Sequence, residues 1–111
     1  LDIVSKNDDE IFVFGCGYWG RELAKILDMK GIVIRGFLDN NSALWGMNIM
    51  DYVVEAPDKL YKLPEARVII AIQGDTLGIE KQIVFLNRKV KCTSLEDIWR
   101  RMYCLCKENK N

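Results

Sequence analysis

The stretch Ile11-Phe12-Val13-Phe14-Gly15-Cys16-Gly17-Tyr18-Trp19-Gly20 decides the fold of this chain. Its first four residues form a continuous apolar run, which is typical of a parallel strand buried on both faces. Three glycines follow at the spacing G-x-G-x-x-G. A helix then runs from about Tyr18 to Lys30, because its apolar residues recur at helical spacing, and Gly31 stands in the position of a C-cap glycine. The stretch therefore predicts a strand, a tight glycine loop and a helix in direct succession.

The rest of the chain continues this alternation of buried strands and amphipathic helices. Further strands are predicted at Ile32–Ile34 with Phe37-Leu38, at Tyr52–Val54, at Val68–Ile72 and at Val90–Cys92. Further helical segments are predicted as a single turn after Pro57, over Thr76–Asn87, and from the capping box Ser94-x-x-Asp97 onward. This order predicts an α/β fold, a three-layer Rossmann-like sandwich with a parallel sheet of about 4–5 strands and helices on both faces. The expected strand order is 3-2-1, extended by strands 4 and 5 on the other side.

The composition limits the functions that the chain can have. It has 111 residues, 16 basic and 16 acidic side chains, no histidine, four cysteines and 50% apolar residues. The length fits one domain, and the apolar content excludes intrinsic disorder. Without histidine, Ser-His-acid triads, Cys-His dyads and His-bearing zinc sites are excluded, and we expect no bound metal. Zero net charge argues against a nucleic-acid partner, which would require a basic face.

The location of the protein is predicted from what the sequence lacks. No apolar run approaches the roughly 20 residues that span a bilayer. The cysteines show neither C-x-x-C spacing nor the density of a secreted scaffold, so we expect reduced thiols and a cytoplasmic protein.

The chain begins with leucine. We therefore expect residues 1–111 to be a single domain excised from a longer chain, with a trimmed tag as the alternative.

The glycine loop is the motif that carries chemistry. In its strand–helix setting, Gly15 allows the tight turn, Gly17 lets the backbone approach a pyrophosphate, and Gly20 lets the helix pack closely on the sheet. The N-terminus of the helix offers unpaired N–H groups and a partial positive charge to phosphate. The alternative is a loop that survives as a fold element and binds nothing.

Asp39 strengthens the ligand-binding interpretation of the loop. It lies 19 residues after Gly20, at the predicted end of the second strand. An acidic side chain there accepts hydrogen bonds from ribose hydroxyls and repels a 2′-phosphate. Asp39-Asn40-Asn41 also favours a turn without any ligand, and the two roles are compatible. We include Asp39 and Asn40 in the candidate cofactor-binding site.

Gln73 and Gly74 are a further part of this candidate site. They follow the clearest buried strand, and so are expected at the carboxyl edge where α/β proteins bind ligands. The next two residues, Asp75 and Thr76, offer a simpler explanation of the segment. Either side chain can simply cap the helix that follows, and this is the interpretation that we prefer.

Four side chains in and after the glycine loop have two interpretations each. Cys16, Tyr18 and Trp19 belong to the candidate cofactor-binding site by position. Trp19 shares helical spacing with the core positions, so we expect it in the core, whereas Tyr18 lies over a ligand or points to solvent. A helix N-terminus can lower the pKa of Cys16, but no general base accompanies it, so we expect no nucleophile and no catalytic residue. Arg21 is expected to pair with a surface acid rather than with phosphate.

Three segments together resemble a recurrent nucleotide-binding module: residues 11–22, 36–41 and 68–72. They are similar to the N-terminal domain of bacterial sugar-nucleotide acetyltransferases of the bacillosamine-type pathway. They also resemble the nucleotide-binding-like accessory domain of FkbM-type methyltransferases, some glycosyltransferases and sugar-nucleotide dehydratases. The resemblance implies polysaccharide or sugar-nucleotide metabolism, with a UDP-sugar or dinucleotide at the glycine loop. The acetyltransferases continue into a left-handed β-helix, which this chain lacks, so acetyl transfer is not implied for it.

Three functions remain open from the sequence. The favoured one is a non-catalytic domain that binds an NAD-type dinucleotide or a UDP-sugar within a larger bacterial polysaccharide-biosynthesis enzyme, a transferase. The second is the cofactor half of an NAD-dependent oxidoreductase. The third is a degenerate Rossmann domain that serves protein association. The sequence feature that supports this function is the apolar segment 44–50. That segment either covers the sheet edge or contacts a second copy, as in a homodimer, or a further domain of the parent chain.

Overall fold

A computed structural model describes residues 10–108 of the chain and the side chains of residues 10–101. The strands in this range are β1 (Glu10–Phe14), β2 (Gly36–Leu38), β3 (Asn48–Ile49), β4 (Tyr52–Glu55), β5 (Ala66–Ile70) and β6 (Lys91–Ser94). The α-helices are α1 (Tyr18–Met29), α2 (Thr76–Leu86) and α3 (Leu95–Glu108). Two 3-10 helices lie at Ser42–Leu44 and Pro57–Lys62. The predicted turn after Pro57 and the predicted helix over Thr76–Asn87 are thus confirmed.

The sheet has six strands in the order β3-β4-β2-β1-β5-β6. All neighbours pair in parallel except β3, which is antiparallel to β4. The parallel strands alone, numbered along the chain, have the order 3-2-1-4-5, so the predicted topology is confirmed. The five parallel strands agree with the predicted 4–5, and β3 adds an antiparallel edge that the apolar pattern did not show.

Two separate hydrophobic clusters lie on the two faces of the sheet. Alternate residues of β1 enter different clusters: Val13 joins one with Leu23 of α1 and Ile98 of α3, and Phe12 joins the other with Ile83 of α2. Successive side chains of a strand point to opposite faces, so one strand serves both cores. Helices therefore cover both faces, as a three-layer α/β fold requires.

The second strand is shorter than the sequence predicts. Ile32–Ile34 lies outside β2, because the chain is still passing from the end of α1 to the sheet. Gly31, with a φ of 74°, ends that helix, and ladder pairing begins only where the Arg35 N–H donates to the Ile11 carbonyl at 2.7 Å. Ile34 is nevertheless buried. Its apolar character thus indicated burial rather than strand structure.

The segment 44–50 covers the sheet edge, one of the two placements predicted for it. The Gly46 N–H donates to the Val54 carbonyl at 2.7 Å, and the Val54 N–H donates to the Met47 carbonyl at 2.9 Å. The hairpin then turns through Met50 and Asp51, whose φ angles are 55° and 68°. Two left-handed residues define a type I′ turn, which usually contains asparagine and glycine. Because the turn lacks those residues, β3 could not be predicted from the sequence.

Candidate functional site

The glycine loop lies where the strand order of the sheet reverses. It leaves the carboxyl end of β1, with β2 on one side and β5 on the other. The Gly15 N–H donates to the Leu38 carbonyl of β2 at 2.7 Å, and the Ala71 N–H donates to the Phe14 carbonyl at 2.9 Å. In doubly wound sheets, ligands bind in the crevice outside this reversal. The fold therefore places the loop at the position of a ligand site.

Two of the loop glycines are required by packing. Gly15 has a φ of 102°, and a Cβ there would lie 2.7 Å from Ile72 Cγ2. A Cβ on Gly20 would lie 1.8 Å from the Gly15 carbonyl oxygen, so α1 can approach the loop only because this residue has no side chain. Both geometries agree with the roles predicted for these glycines. Gly17 differs, since a Cβ there would meet nothing within 4 Å.

The N-terminus of α1 is open. Gly17 is its N-cap and supplies no side-chain hydrogen bond, and among the described residues its first turn contains no acidic side chain. The other two α-helices are capped: Asp75 Oδ1 accepts from the Gly78 N–H at 2.8 Å, and Ser94 Oγ accepts from the Asp97 N–H at 3.1 Å. The first N–H groups of a helix have no partner within the helix and carry a partial positive charge. The end of α1 is thus suited to bind an anion.

The carboxylate of Asp39 is held beside the loop by three donors. Its Oδ2 accepts from the Cys16 backbone N–H at 3.2 Å and from Cys16 Sγ at 3.5 Å. Its Oδ1 accepts from the Asn41 N–H at 2.9 Å. Asp39 is half-buried. The structure therefore brings together the two strongest sequence-predicted features, the glycine loop and the acid after β2, and the turn role of Asp39 holds as well.

The Cys16 thiol is a protonated donor rather than a nucleophile. Burial raises its pKa to about 11, and the charge of Asp39 and the hydrogen bond to it act in the same direction. The lowering of a thiol pKa that an adjacent helix N-terminus can cause is outweighed here by burial and by the carboxylate. A thiol that stays protonated at neutral pH does not attack a substrate.

Tyr18 and Trp19 point away from the core at the start of α1. They are 61% and 37% exposed, and their rings form an edge-to-face pair with centroids 5.1 Å apart. The prediction that Trp19 lies in the core is therefore wrong: helical spacing placed it on the apolar face, but its ring packs on Tyr18. Arg21 also differs from its prediction, because its Nε donates to the Gly17 carbonyl at 3.3 Å.

Gln73 and Gly74 follow β5 at the carboxyl edge of the sheet, as predicted. Gln73 is exposed, and Gly74 turns the chain with a φ of 101°. Asp75 caps α2, which confirms the structural interpretation of that residue. The segment is linked to the glycine loop through Ile72, which lies against Gly15. The described contacts give Gln73 and Gly74 no further part in the site.

Two contacts near Asp39 were not predicted. Asn40 and Gln82 of α2 form a reciprocal side-chain amide pair. Trp45 Nε1 donates to the Asp39 carbonyl at 2.7 Å and so fixes the loop after β2. Neither contact has a local sequence signal, since both depend on how separate segments meet.

Residues 10–101 contain no group of three or more His, Cys, Asp or Glu side chains that could hold a metal ion. Within the described part of the chain, no helix is long and apolar enough to cross a membrane.

No protein-family model and no curated protein sequence matches the chain. Its fold matches that of RSP, a Rex-family repressor, with a TM-score of 0.62 and 17% identity over 91% of this chain and 60% of the RSP chain. RSP in complex with β-NADH matches with a TM-score of 0.57 and 17% identity over 91% and 61% of the two chains. RSP in complex with β-NAD+ and operator DNA matches with a TM-score of 0.60 and 16% identity over 91% and 58%.

These matches define the chain as a Rossmann-like α/β domain. At such identities the likeness shows the fold alone, and the chain spans about three fifths of the RSP chains that it matches. The matches support the Rossmann-like module, but not the more specific resemblance to sugar-nucleotide acetyltransferases or to the FkbM accessory domain. One of the RSP structures contains operator DNA. The absence of a nucleic-acid partner for this chain stays a prediction.

Proposed function

We propose that this chain is a dinucleotide-binding domain whose ligand is NAD or NADH. The observation that carries the proposal is the open N-terminus of α1, at the point where the strand order reverses. Among the described residues, α2 and α3 each have one N-terminal N–H capped by a side chain, that of Asp75 or of Ser94. The corresponding groups of α1 are available to a pyrophosphate, and Gly17 leaves space for it to approach.

Asp39 supplies the second half of this site. Its carboxylate is fixed by Cys16 and Asn41, and Oδ1, which accepts only from the Asn41 N–H, can accept a further hydrogen bond. Ribose 2′- and 3′-hydroxyls are suitable donors, whereas a 2′-phosphate would be repelled by the negative charge. This supports NAD over NADP as the ligand. The β-NADH and β-NAD+ complexes of RSP, which share this fold, give further support.

The role of the parent protein rests on the sequence resemblance. It implies a transferase of sugar-nucleotide or polysaccharide metabolism, in which this domain is non-catalytic. A UDP-sugar is then the competing ligand. It presents the same pyrophosphate to α1 and a ribose to Asp39, so the two ligands differ in the base and in the distal group. Binding measurements with both ligands separate these possibilities.

Thermal unfolding of the purified chain tests the proposal directly. NADH, NADPH and UDP-N-acetylglucosamine are compared at equal concentration. A ligand present at about one hundred times its dissociation constant adds roughly 2.7 kcal/mol to the free energy of unfolding. In a domain of this size that corresponds to a rise in Tm of about 10 °C. We expect this shift with NADH; a shift with UDP-N-acetylglucosamine alone, or with none of the compounds, would contradict the proposal.

The substitution Asp39→Asn tests the ribose contact. It keeps the size of the side chain but removes the charge that opposes a 2′-phosphate. We expect the ratio of NADPH to NADH dissociation constants to fall by about tenfold, which corresponds to a change of 1.4 kcal/mol. The Tm without ligand serves as the control for folding. An unchanged ratio would show that Asp39 does not face the ribose.

A second function, association with another copy of this chain, is favoured by the outer face of α2. Leu77, Val84 and Phe85 are 58%, 46% and 90% exposed. With Glu80 and Lys81 they line a shallow groove of about 380 Å³. A helix with apolar residues on both faces is usually covered on both. Light scattering over a wide concentration range tests this: Phe85→Lys should abolish any dimer, and a monomeric wild type would exclude self-association.

A further inference from the structure

The Cys16 thiol is a buried donor beside the proposed ribose contact. Cys16 is 5% exposed, and its Sγ donates to Asp39 Oδ2 at 3.5 Å. The backbone N–H of the same residue donates to the same oxygen at 3.2 Å. Just before it, the Gly15 N–H donates to the Leu38 carbonyl at 2.7 Å. Two consecutive residues of the glycine loop are thus bonded to the last residue of β2 and to the acid that follows it.

The backbone of Asp39 is held without any help from the thiol. Its N–H donates to the Glu55 carbonyl at 3.2 Å, and its carbonyl accepts from Trp45 Nε1 at 2.7 Å. The part of the residue that can still move is the side chain, in which rotation about the χ1 and χ2 bonds turns the carboxylate. The donors that oppose this rotation are Cys16 at one oxygen and Asn41 at the other. Cys16 therefore acts on the orientation of the carboxylate and not on the course of the chain.

The thiol fills the acceptor capacity of one carboxylate oxygen. Each oxygen has two lone pairs, and an ionised carboxylate only accepts hydrogen bonds. Both lone pairs of Oδ2 are taken by the N–H and the thiol of Cys16, whereas among the described residues Oδ1 accepts only from the Asn41 N–H. Burial raises the pKa of the thiol to about 11, so the thiol keeps its proton at neutral pH. The direction of this hydrogen bond is therefore fixed, and the free acceptor site of Asp39 lies on Oδ1.

We propose that Cys16 is a positioning residue whose thiol sets the preference of this site for NAD over NADP. This inference rests on the proposed function, in which Asp39 faces the ribose of the dinucleotide. With Oδ2 filled by Cys16, the ribose hydroxyl is left to Oδ1, and the negative charge is held where a 2′-phosphate would enter. Without the thiol, Oδ2 keeps only the backbone N–H at 3.2 Å, and the carboxylate can turn about that bond. A carboxylate that turns opposes a 2′-phosphate less and holds the ribose hydroxyl less well.

A purely structural role of the thiol would give a different result. NADH and NADPH differ only in the 2′-phosphate, so a loss of packing between the loop and β2 would change both dissociation constants by the same factor. A loss of positioning changes their ratio, because only the ribose end of the ligand meets Asp39. Serine separates the two roles a second time, since its hydroxyl donates a hydrogen bond as the thiol does but fills less space.

The test measures dissociation constants for NADH and NADPH by titration calorimetry on the whole chain. We expect the wild type to prefer NADH. Cys16→Ala should lower the ratio of the NADPH to the NADH dissociation constant by about fivefold, which is the effect of one ordinary hydrogen bond. Cys16→Ser should keep the ratio within about twofold of the wild-type value, since the hydroxyl restores the donor. Cys92→Ala is the matched control, because this half-buried cysteine lies on β6, two strands from β1, and its removal should leave the ratio unchanged.

A double change shows whether the thiol acts through Asp39. Asp39→Asn alone should lower the same ratio by about tenfold. If Cys16 acts by orienting the charge of Asp39, adding Cys16→Ala to Asp39→Asn should cause no further fall, because no charge remains to be oriented. Independent effects would instead multiply to about fiftyfold.

Each outcome of this test decides a separate statement. If the wild type prefers NADH and Cys16→Ala keeps the same ratio, the proposed function stands and the positioning role is overturned. An equal fall in Cys16→Ala and Cys16→Ser would also overturn it, and so would effects of Cys16→Ala and Asp39→Asn that multiply, because the thiol would then act through packing or by a route other than Asp39. If the wild type binds neither dinucleotide, the proposed function fails and takes this inference with it. If it binds both equally well, the ribose contact of Asp39 fails, and the positioning role fails with it.

Discussion

Gly17→Asp should make the domain more stable and abolish dinucleotide binding. Gly17 is the N-cap of α1, its φ of −78° and ψ of −159° are extended angles that any residue adopts, and a Cβ there meets nothing within 4 Å. An aspartate can therefore enter without distortion. Its carboxylate would cap the helix as Asp75 caps α2. The same carboxylate would occupy the position that we propose for the phosphate.

The expected stabilisation is the sum of three small terms. A capping aspartate exceeds glycine by a few tenths of a kcal/mol. Its charge at the helix N-terminus adds about 0.3–1 kcal/mol. Replacing a glycine restricts the unfolded chain by about 0.4–1 kcal/mol. Together they amount to about 1–2 kcal/mol, which corresponds to a rise in Tm of about 4–8 °C for a domain of this length.

The expected loss of binding follows from the new charge. Two unit charges 4 Å apart repel each other by about 4 kcal/mol at an effective dielectric constant of 20, which is roughly a thousandfold in the dissociation constant. Tm and NADH affinity are measured on the same preparations in buffer of low ionic strength. Gly17→Asn is the matched control, since it has the same size and also caps the helix but carries no charge. If Gly17→Asp bound NADH as well as Gly17→Asn does, the loop would not hold phosphates, and a lower Tm would refute the capping argument.

Three further changes test the rest of the structure. Gly20→Ala should lower the free energy of unfolding, measured by urea titration, by about 3 kcal/mol or more. The reason is that the new Cβ would lie 1.8 Å from a backbone oxygen. A smaller loss of stability than that caused by Gly17→Ala would contradict this expectation. The double change Met50→Asn with Asp51→Gly should raise the free energy of unfolding by about 1 kcal/mol, since both residues have positive φ. An unchanged midpoint of the urea unfolding curve would show that the native turn is unstrained. Stability should fall as pH rises from about 9 toward about 11, because burial raises the pKa of Cys16 from its ordinary 9.0 to about 11 in the folded state. Cys16→Ala should weaken this pH dependence, and equal slopes in both proteins would argue against it.

The parts of the fold that could be predicted are those with a local cause. The glycine loop, the helix after it and the strand at Val68–Ile70 depend on periodicity and on residues within a few positions of each other. The pairing of Asp39 with the loop could also be predicted, because parallel strands end at the same edge of the sheet. These features account for the strand order and for the centre of the candidate site.

The parts that could not be predicted depend on contacts between distant segments. β3 forms because a hairpin turns through Met50 and Asp51, neither of which signals a type I′ turn. The Asn40–Gln82 pair joins residues 42 positions apart, and polar residues in a loop and on a helix give no sign that they meet. The raised pKa of Cys16 could not be predicted for the same reason, since burial and a neighbouring carboxylate outweigh a nearby helix end.

The three loop glycines differ in whether packing requires them, and this difference bears on the proposed binding site. Packing alone requires Gly15, because of its positive φ, and Gly20, because of its contact with the loop carbonyl. Packing does not require Gly17: its φ is ordinary and its Cβ position is open, so a serine or aspartate there would cap α1 and stabilise the fold. The absence of a cap at this one helix therefore has no explanation in the folding of the chain. The proposed approach of a phosphate to the backbone would explain it, since an incoming anion requires both a missing side chain and a missing charge at this position.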